Sequence, residues 1–198
     1  MIVLTPVSEA TVLSAWACAE LRGPAGARAV EMGLMSAQVL DGLRADAGAS
    51  FTAGDWTQAH HAIRFKRAPL IGNLFDLGIE WASAVFDVAQ LHALQIIAIP
   101  EWHTKYPSHR MDELAGTRYL PGVTPEFRGF ETTLESPIAV CASLDGPGCL
   151  VEGYTRVGTF LRDVGAGLVP DNATMPMLLG VSPRIHEWAG PKGWRWWP

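Results

Sequence analysis

The stretch that most constrains this chain runs from Ile138 to Gly167, where an apolar run, a tight turn, a second apolar run and a helical pattern follow one another without a gap. Ile138-Ala-Val-Cys-Ala142 has the length and composition of a buried strand, Asp145-Gly-Pro-Gly148 is turn chemistry, and Cys149-Leu-Val151 is a second strand. Together they predict a hairpin. Val157, Phe160, Leu161 and Val164 then share one helical face, and Gly165 to Gly167 ends that helix.

The first 78 residues read differently. Ser8 caps a helix in which Glu9 favours the first turn and Val12, Leu13 and Trp16 are apolar, and Gly23-Pro24 stops it. Val30, Leu34, Ala37, Leu40 and Leu43 recur every three or four residues and predict a second helix from about Ala27 to Ala47. Residues 48–55 read as loop. Thr57 to Phe65, with the pair His60-His61, fits either a short helix or a strand. Pro69 to Gly78 reads as a helix with proline in its first turn and glycine at its C-terminal cap. Beyond it, Ile79 to Val85 looks extended, Asp87 to Leu94 like a short capped helix, and Gln95-Ile-Ile-Ala-Ile99 like a buried strand ended by Pro100. Residues 100–136 are polar and rich in proline and glycine, with one short helix expected at Met111 to Ala115. A last strand near Met177 to Val181 and a helix from Pro183 to Trp188 close the chain. The expected class is α+β, one domain over 1–198, with 1–78 mainly helical and 79–198 the strand-containing core.

With 198 residues, 48% of them apolar and 18% charged, the chain has the makings of a packed globule. No run of 18 apolar residues appears, so no membrane insertion is expected, and the N-terminus lacks the basic region and cleavage site of a secretory signal, which points to the cytoplasm. Cys18, Cys141 and Cys149 form no Cys-x-x-Cys pair and read as small buried hydrophobes. A formal net charge of −5 leaves no overall basic surface for nucleic acid. Two local patches stand out: Arg64, Lys66 and Arg67, and a tail in which Arg184, Lys192 and Arg195 interleave with Trp188, Trp194, Trp196 and Trp197, a pattern able to stack on single-stranded DNA bases while pairing with phosphates.

The chemistry concentrates at Glu152-Gly-Tyr-Thr-Arg156, where strand passes into helix. The first amides of a helix have no intrahelical acceptor and lie at the positive end of its dipole, so a phosphate fits there. Gly153 lets the backbone approach a ligand, Thr155 offers a hydroxyl, and Arg156 can clamp two phosphate oxygens with its planar fork. Glu152 at the strand end is placed to act as a base, hold a water or bind Mg2+. On spacing alone, an ordinary connection with a Glu152–Arg156 ion pair explains the same residues.

The segment from Pro137 to Leu161, containing Gly153-Tyr-Thr-Arg156, resembles the core of the ParB/sulfiredoxin superfamily over about 50 residues from Pro137 onward. That resemblance implies a mixed sheet with flanking helices and a Gly-x-x-Arg box, Gly153, Tyr154, Thr155 and Arg156, that binds the phosphates of ATP or CTP with Mg2+. The departures are specific. Sulfiredoxins carry a cysteine where Tyr154 stands; the free-serine kinases carry two histidines where Tyr154 and Thr155 stand; partition ParB proteins have a second arginine at Thr155 and an added helix-turn-helix domain. In size and design the chain is similar to plasmid fertility-inhibition proteins, which combine this fold with ATPase and DNase activity and block conjugative DNA transfer.

Two functions follow. In one, Glu152 and Arg156 are catalytic and the terminal phosphate of a bound nucleoside triphosphate is hydrolysed or transferred, with Glu152 also a metal holder and DNA cleavage a further activity. In the other, the chain is a non-catalytic interaction or inhibitor module with a vestigial nucleotide site and a protein partner gripped by the C-terminal tryptophans. Glu101, His103 and His109 match no zinc spacing, and no structural metal is expected. Glu135, just before the hairpin, reads as a solvated loop residue or as a carboxylate facing the box. Tyr154 reads as a base-stacking platform or as a packed ring.

Overall fold

The computed structural model describes residues 4–97, 108–115, 133–190 and 197. Among these residues one mixed sheet is formed by β1 (Thr5–Pro6), β2 (Glu80–Asp87), β3 (Gln95–Ile96), β4 (Ile138–Cys141), β5 (Gly148–Glu152) and β6 (Thr174–Val181), in the spatial order β1-β2-β6-β4-β5-β3. The pairs β1–β2, β2–β6 and β4–β5 are antiparallel; β4–β6 and β3–β5 are parallel. The expected hairpin of residues 138–151 is therefore the β4–β5 pair near the centre of the sheet. Pro176 lies in β6 beyond the end of β4, whose pairing begins at Leu178, so a residue that donates no ladder bond has a strand on one side only.

Side-chain alternation along the central strands feeds two apolar layers. Ile138, Val140, Cys149 and Leu178 join α1 (Glu9–Leu21), α2 (Pro24–Glu31), α3 (Ala37–Asp46), α4 (Ala53–Lys66) and α5 (Ala68–Ile71) in one cluster, around the fully buried Trp16 and Trp188. Ala139, Cys141, Leu150 and Leu179 join α6 (Val88–Ala93), α7 (Met111–Ala115) and α8 (Tyr154–Gly165) in the other, around Phe160. Helices thus cover both faces of a mixed sheet. Each fully buried large side chain adds roughly 1.5–3 kcal/mol relative to exposure.

The capping signals read from the sequence do form. The Ser8 side chain accepts from the Thr11 amide, and Asp87 with Gln90 closes a capping box at α6. Residues 57–65 are helix, and α4 begins earlier than expected because Thr52 and Asp55 make a capping box that the loop reading of 48–55 overlooked.

Three expected helices come out shorter. The helix expected over 27–47 is two helices: Gly33 adopts φ 70° and the Ser36 hydroxyl starts α3 by accepting from Val39. The helix expected over 69–78 is a single turn, α5, and a 3-10 turn at Leu74–Asp76. Gly72 at φ 48° separates them, with its Cα pressed so close to Ala189 that an added Cβ would lie 1.9 Å from the Ala189 carbonyl oxygen. The final helix is a 3-10 turn at Ile185–Glu187. Of the strand expected over 95–99, Gln95–Ile96 pair with β5, and residues 98–99 lie outside the described residues.

The candidate functional site at the β5–α8 turn

Residue geometry explains why the chain turns here. Pairing of β4 with β5 shifts by one residue, Ile138 standing opposite Glu152 and Ala139 opposite Leu150, so Val151 is an extra residue in the ladder. The shift puts Glu152 on the same side as Ile138, toward the N-terminal helices, instead of toward α8. Gly153 follows at φ 97° and ψ 19°, a left-handed conformation that disfavours a side chain. Space forbids one as well: an added Cβ would sit 2.5 Å from the Cβ of Pro137. Gly153 is the N-cap of α8, no side chain caps that end, and the first intrahelical bond runs from the Val157 amide to the Gly153 carbonyl at 2.9 Å. The amides of Tyr154, Thr155 and Arg156 precede that bond at the positive end of a 12-residue helix.

The side chains divide sharply in what they do. Thr155 is exposed. Tyr154 packs against both apolar clusters; its hydroxyl donates to the Leu150 carbonyl and accepts from the Ile97 amide at 3.4 Å, and burial pushes its ionisation well above the usual phenol range. Of the two readings of Tyr154, the packed ring is the one seen. Arg156 is 27% exposed and uses both ends of its fork inside the protein: Nη2 donates to the Glu152 carboxylate and Nη1 to the backbone carbonyl of Glu135. Glu152 is 15% exposed. Burial raises its pKa; the Arg156 charge opposes that, the Glu20 charge adds to it, and the balance is upward.

Around this pair lies an array of charges that local sequence reasoning missed. Arg22 on the C-terminal end of α1 approaches the Glu135 carboxylate at 3.4 Å and donates to the Leu43 carbonyl at 2.9 Å. Arg67, at the end of α4, pairs with Glu20 of α1. The Arg67 charge reaches Tyr154, and the Arg22, Glu135 and Arg156 charges reach the buried Cys18 thiol, whose pKa burial pushes up to about 11. Three Glu–Arg pairs, from α1, α4, the turn before β4 and the box, therefore meet where the N-terminal helices touch the sheet. Glu135 is not the solvated loop residue that its polar surroundings suggest: its carboxylate pairs with Arg22, and it is its backbone carbonyl that accepts from Arg156 of the box. Only the Glu152–Arg156 pair could be found in sequence, from its i,i+4 spacing; the others join residues 47 and 113 positions apart.

The remaining candidates lie elsewhere. His60 shares a hydrogen bond with Ser14 at 2.8 Å and sits beside the Trp56 ring. Arg64 pairs with Glu9 and covers the Phe75 ring at 4.9 Å, while Lys66 is exposed. In the tail, Arg184 pairs with Glu187 at 2.7 Å, Trp188 is buried and donates to the Leu70 carbonyl at 3.0 Å, and Trp197 packs against the helical-side core. Lys192, Trp194, Arg195 and Trp196 lie outside the described residues, as do Glu101, Trp102 and His103. Among the described residues, no three His, Cys, Asp or Glu side chains are placed to hold a metal ion, and no helix is long and apolar enough to cross a membrane. Compared with protein-family models, curated proteins and solved structures, the chain matches none.

Proposed function

We propose that the β5–α8 turn binds the phosphate chain of a nucleoside triphosphate, ATP or CTP with Mg2+, and that the protein hydrolyses or transfers the terminal phosphate. The observation that carries this reading is the left-handed Gly153 N-cap, which opens the start of α8 without a capping side chain beside an exposed threonine. Backbone amides of residues 154–156 would donate to phosphate oxygens, the Thr155 hydroxyl would add a contact, and Arg156 would supply the balancing charge. Mg2+ needs only one or two protein carboxylates when phosphates complete its shell, and Glu152 is the carboxylate at hand; bound there, the ion would neutralise charge on the phosphates. Glu152 is also the group placed to take a proton from an attacking water, and its raised pKa suits a base. Tyr154, committed to Leu150 and Ile97, serves the fold of the turn more than the base of a nucleotide. DNA cleavage and a block on conjugative transfer remain extensions of this reading that rest on the family resemblance.

A second reading is favoured by one observation: Arg156 already has two partners within the protein, as a purely structural residue would. In that reading the chain is an interaction or inhibitor module. Isothermal titration of ATP and of CTP into wild type and Arg156→Ala separates the two. The nucleotide reading predicts that the substitution weakens binding by about 1.5–3 kcal/mol, the worth of a hydrogen bond to a charged group. Equal binding by both proteins removes Arg156 from the site, and absence of binding by both favours the module.

A further inference from the structure

Resting on the phosphate-binding reading above, we propose that the Glu152 carboxylate is an internal occupant of the anion site, so that an incoming phosphate binds by displacing it from Arg156. The contact Glu152 makes is one a bound phosphate would make, with a charged guanidinium nitrogen beside the start of a helix. The ladder shift at Val151 is what carries Glu152 to that place, because regular alternation would send it to the α8 side of the sheet.

Arg156 is held ready independently of this contact. Its Nη1 is tied to the Glu135 carbonyl, and the Glu135 carboxylate is anchored by Arg22, so the fork keeps its direction when Glu152 leaves. Glu152, by contrast, is held under opposition. It is largely buried, its one ion-pair partner at the box is Arg156, and the Glu20 carboxylate lies near enough for its charge to act against it. A carboxylate in that position yields to an anion of higher charge that offers several oxygens to the same donors. The internal contact of Arg156 is then the resting state of a live site.

The test is a titration of inorganic pyrophosphate and of ATP, without metal, into the full chain as wild type, Glu152→Gln and Glu152→Asp. Glutamine keeps the shape and removes the charge. Aspartate keeps the charge and draws the carboxylate back by one methylene. The proposal predicts that both bind pyrophosphate more tightly than wild type, Glu152→Gln by about tenfold, the difference between a charge-assisted and a neutral competing contact. Unfolding curves identify any variant that does not fold, and the other then decides. Binding by wild type that is equalled or exceeded by neither variant overturns the displacement while leaving the phosphate site in place. Failure of wild type and both variants to bind either probe overturns the phosphate reading, and the displacement with it. Tighter binding joined to loss of ATP hydrolysis in Glu152→Gln would separate the occupant's role from the base's role in one protein.

Discussion

At the scale of single residues, Gly153 decides whether the turn exists. A left-handed φ costs a residue with a side chain about 1–2 kcal/mol, and forcing a methyl against packed neighbours costs about 1–3 kcal/mol more. Both apply here, since φ is 97° and Pro137 occupies the place of the Cβ. Gly153→Ala is therefore expected to lower stability by about 2–5 kcal/mol in a urea unfolding experiment, whereas Thr155→Ala, at an exposed position, should stay within about 0.5 kcal/mol of wild type. A small effect at Gly153 would mean that the turn relaxes easily and that the α8 N-terminus is not a fixed structure. Arg156 shows the limit of reading residues one at a time. The ion pair with Glu152 was visible in the i,i+4 spacing, but its second partner, the carbonyl of Glu135, follows from a strand pairing that brings residues 135 and 156 together.

Elements tell a similar story. The β4–β5 hairpin, α6 and α8 were legible because each is bounded by strong local chemistry: Gly-Pro-Gly at the hairpin turn, an Asp87–Gln90 box, and glycines after α8. The break between α2 and α3 was hidden because Val30, Leu34, Ala37 and Leu40 keep the helical period straight through it; the signals were Gly33 and the Ser36 cap, which periodicity does not weigh. Nor could the single turn of α5 be read locally. It ends where Asn73 binds the far end of the chain, donating its side-chain amide to the Glu187 carbonyl at 3.2 Å and accepting from the Ala189 amide at 2.8 Å.

The α1–α4 contact carries a pH dependence of its own. His60 faces Ser14 on α1, with Trp56 and Arg64 on its own helix, and burial first and the Arg64 charge second hold its pKa below the ordinary 6.5. Above pH 6.5 the ring is neutral both folded and unfolded, so this site costs nothing there. As pH falls below 6.5 the unfolded chain takes up the proton first, and stability is lost. Urea midpoints at pH 7.5 and 5.5 should therefore differ more for wild type than for His60→Gln. An equal drop in both would assign acid sensitivity to other groups.

At the scale of the molecule, an α+β chain with a mixed sheet and flanking helices was expected and is found, the helices covering both faces; the order of the strands was not derivable from local patterns. Of the two short edge strands, β3 falls within the run expected over 95–99, whereas β1 pairs through residues 5–6 alone, too few to announce itself by alternation. The meeting of three Glu–Arg pairs is a property of the whole arrangement. It needs the N-terminal helices, the turn before β4 and the box to be packed together, so it depends on contacts that no sequence window contains.

The central claim is that the start of α8 is a phosphate site whose resting occupant is Glu152. Its most direct test is a crystal structure of the full chain soaked with ATP and Mg2+. The account predicts phosphate density within hydrogen-bonding distance of the amides of residues 154–156 and of Arg156, with the Glu152 carboxylate moved off the guanidinium and Arg156 still tied to the Glu135 carbonyl. Nucleotide bound elsewhere, with the Glu152–Arg156 pair intact, would contradict it.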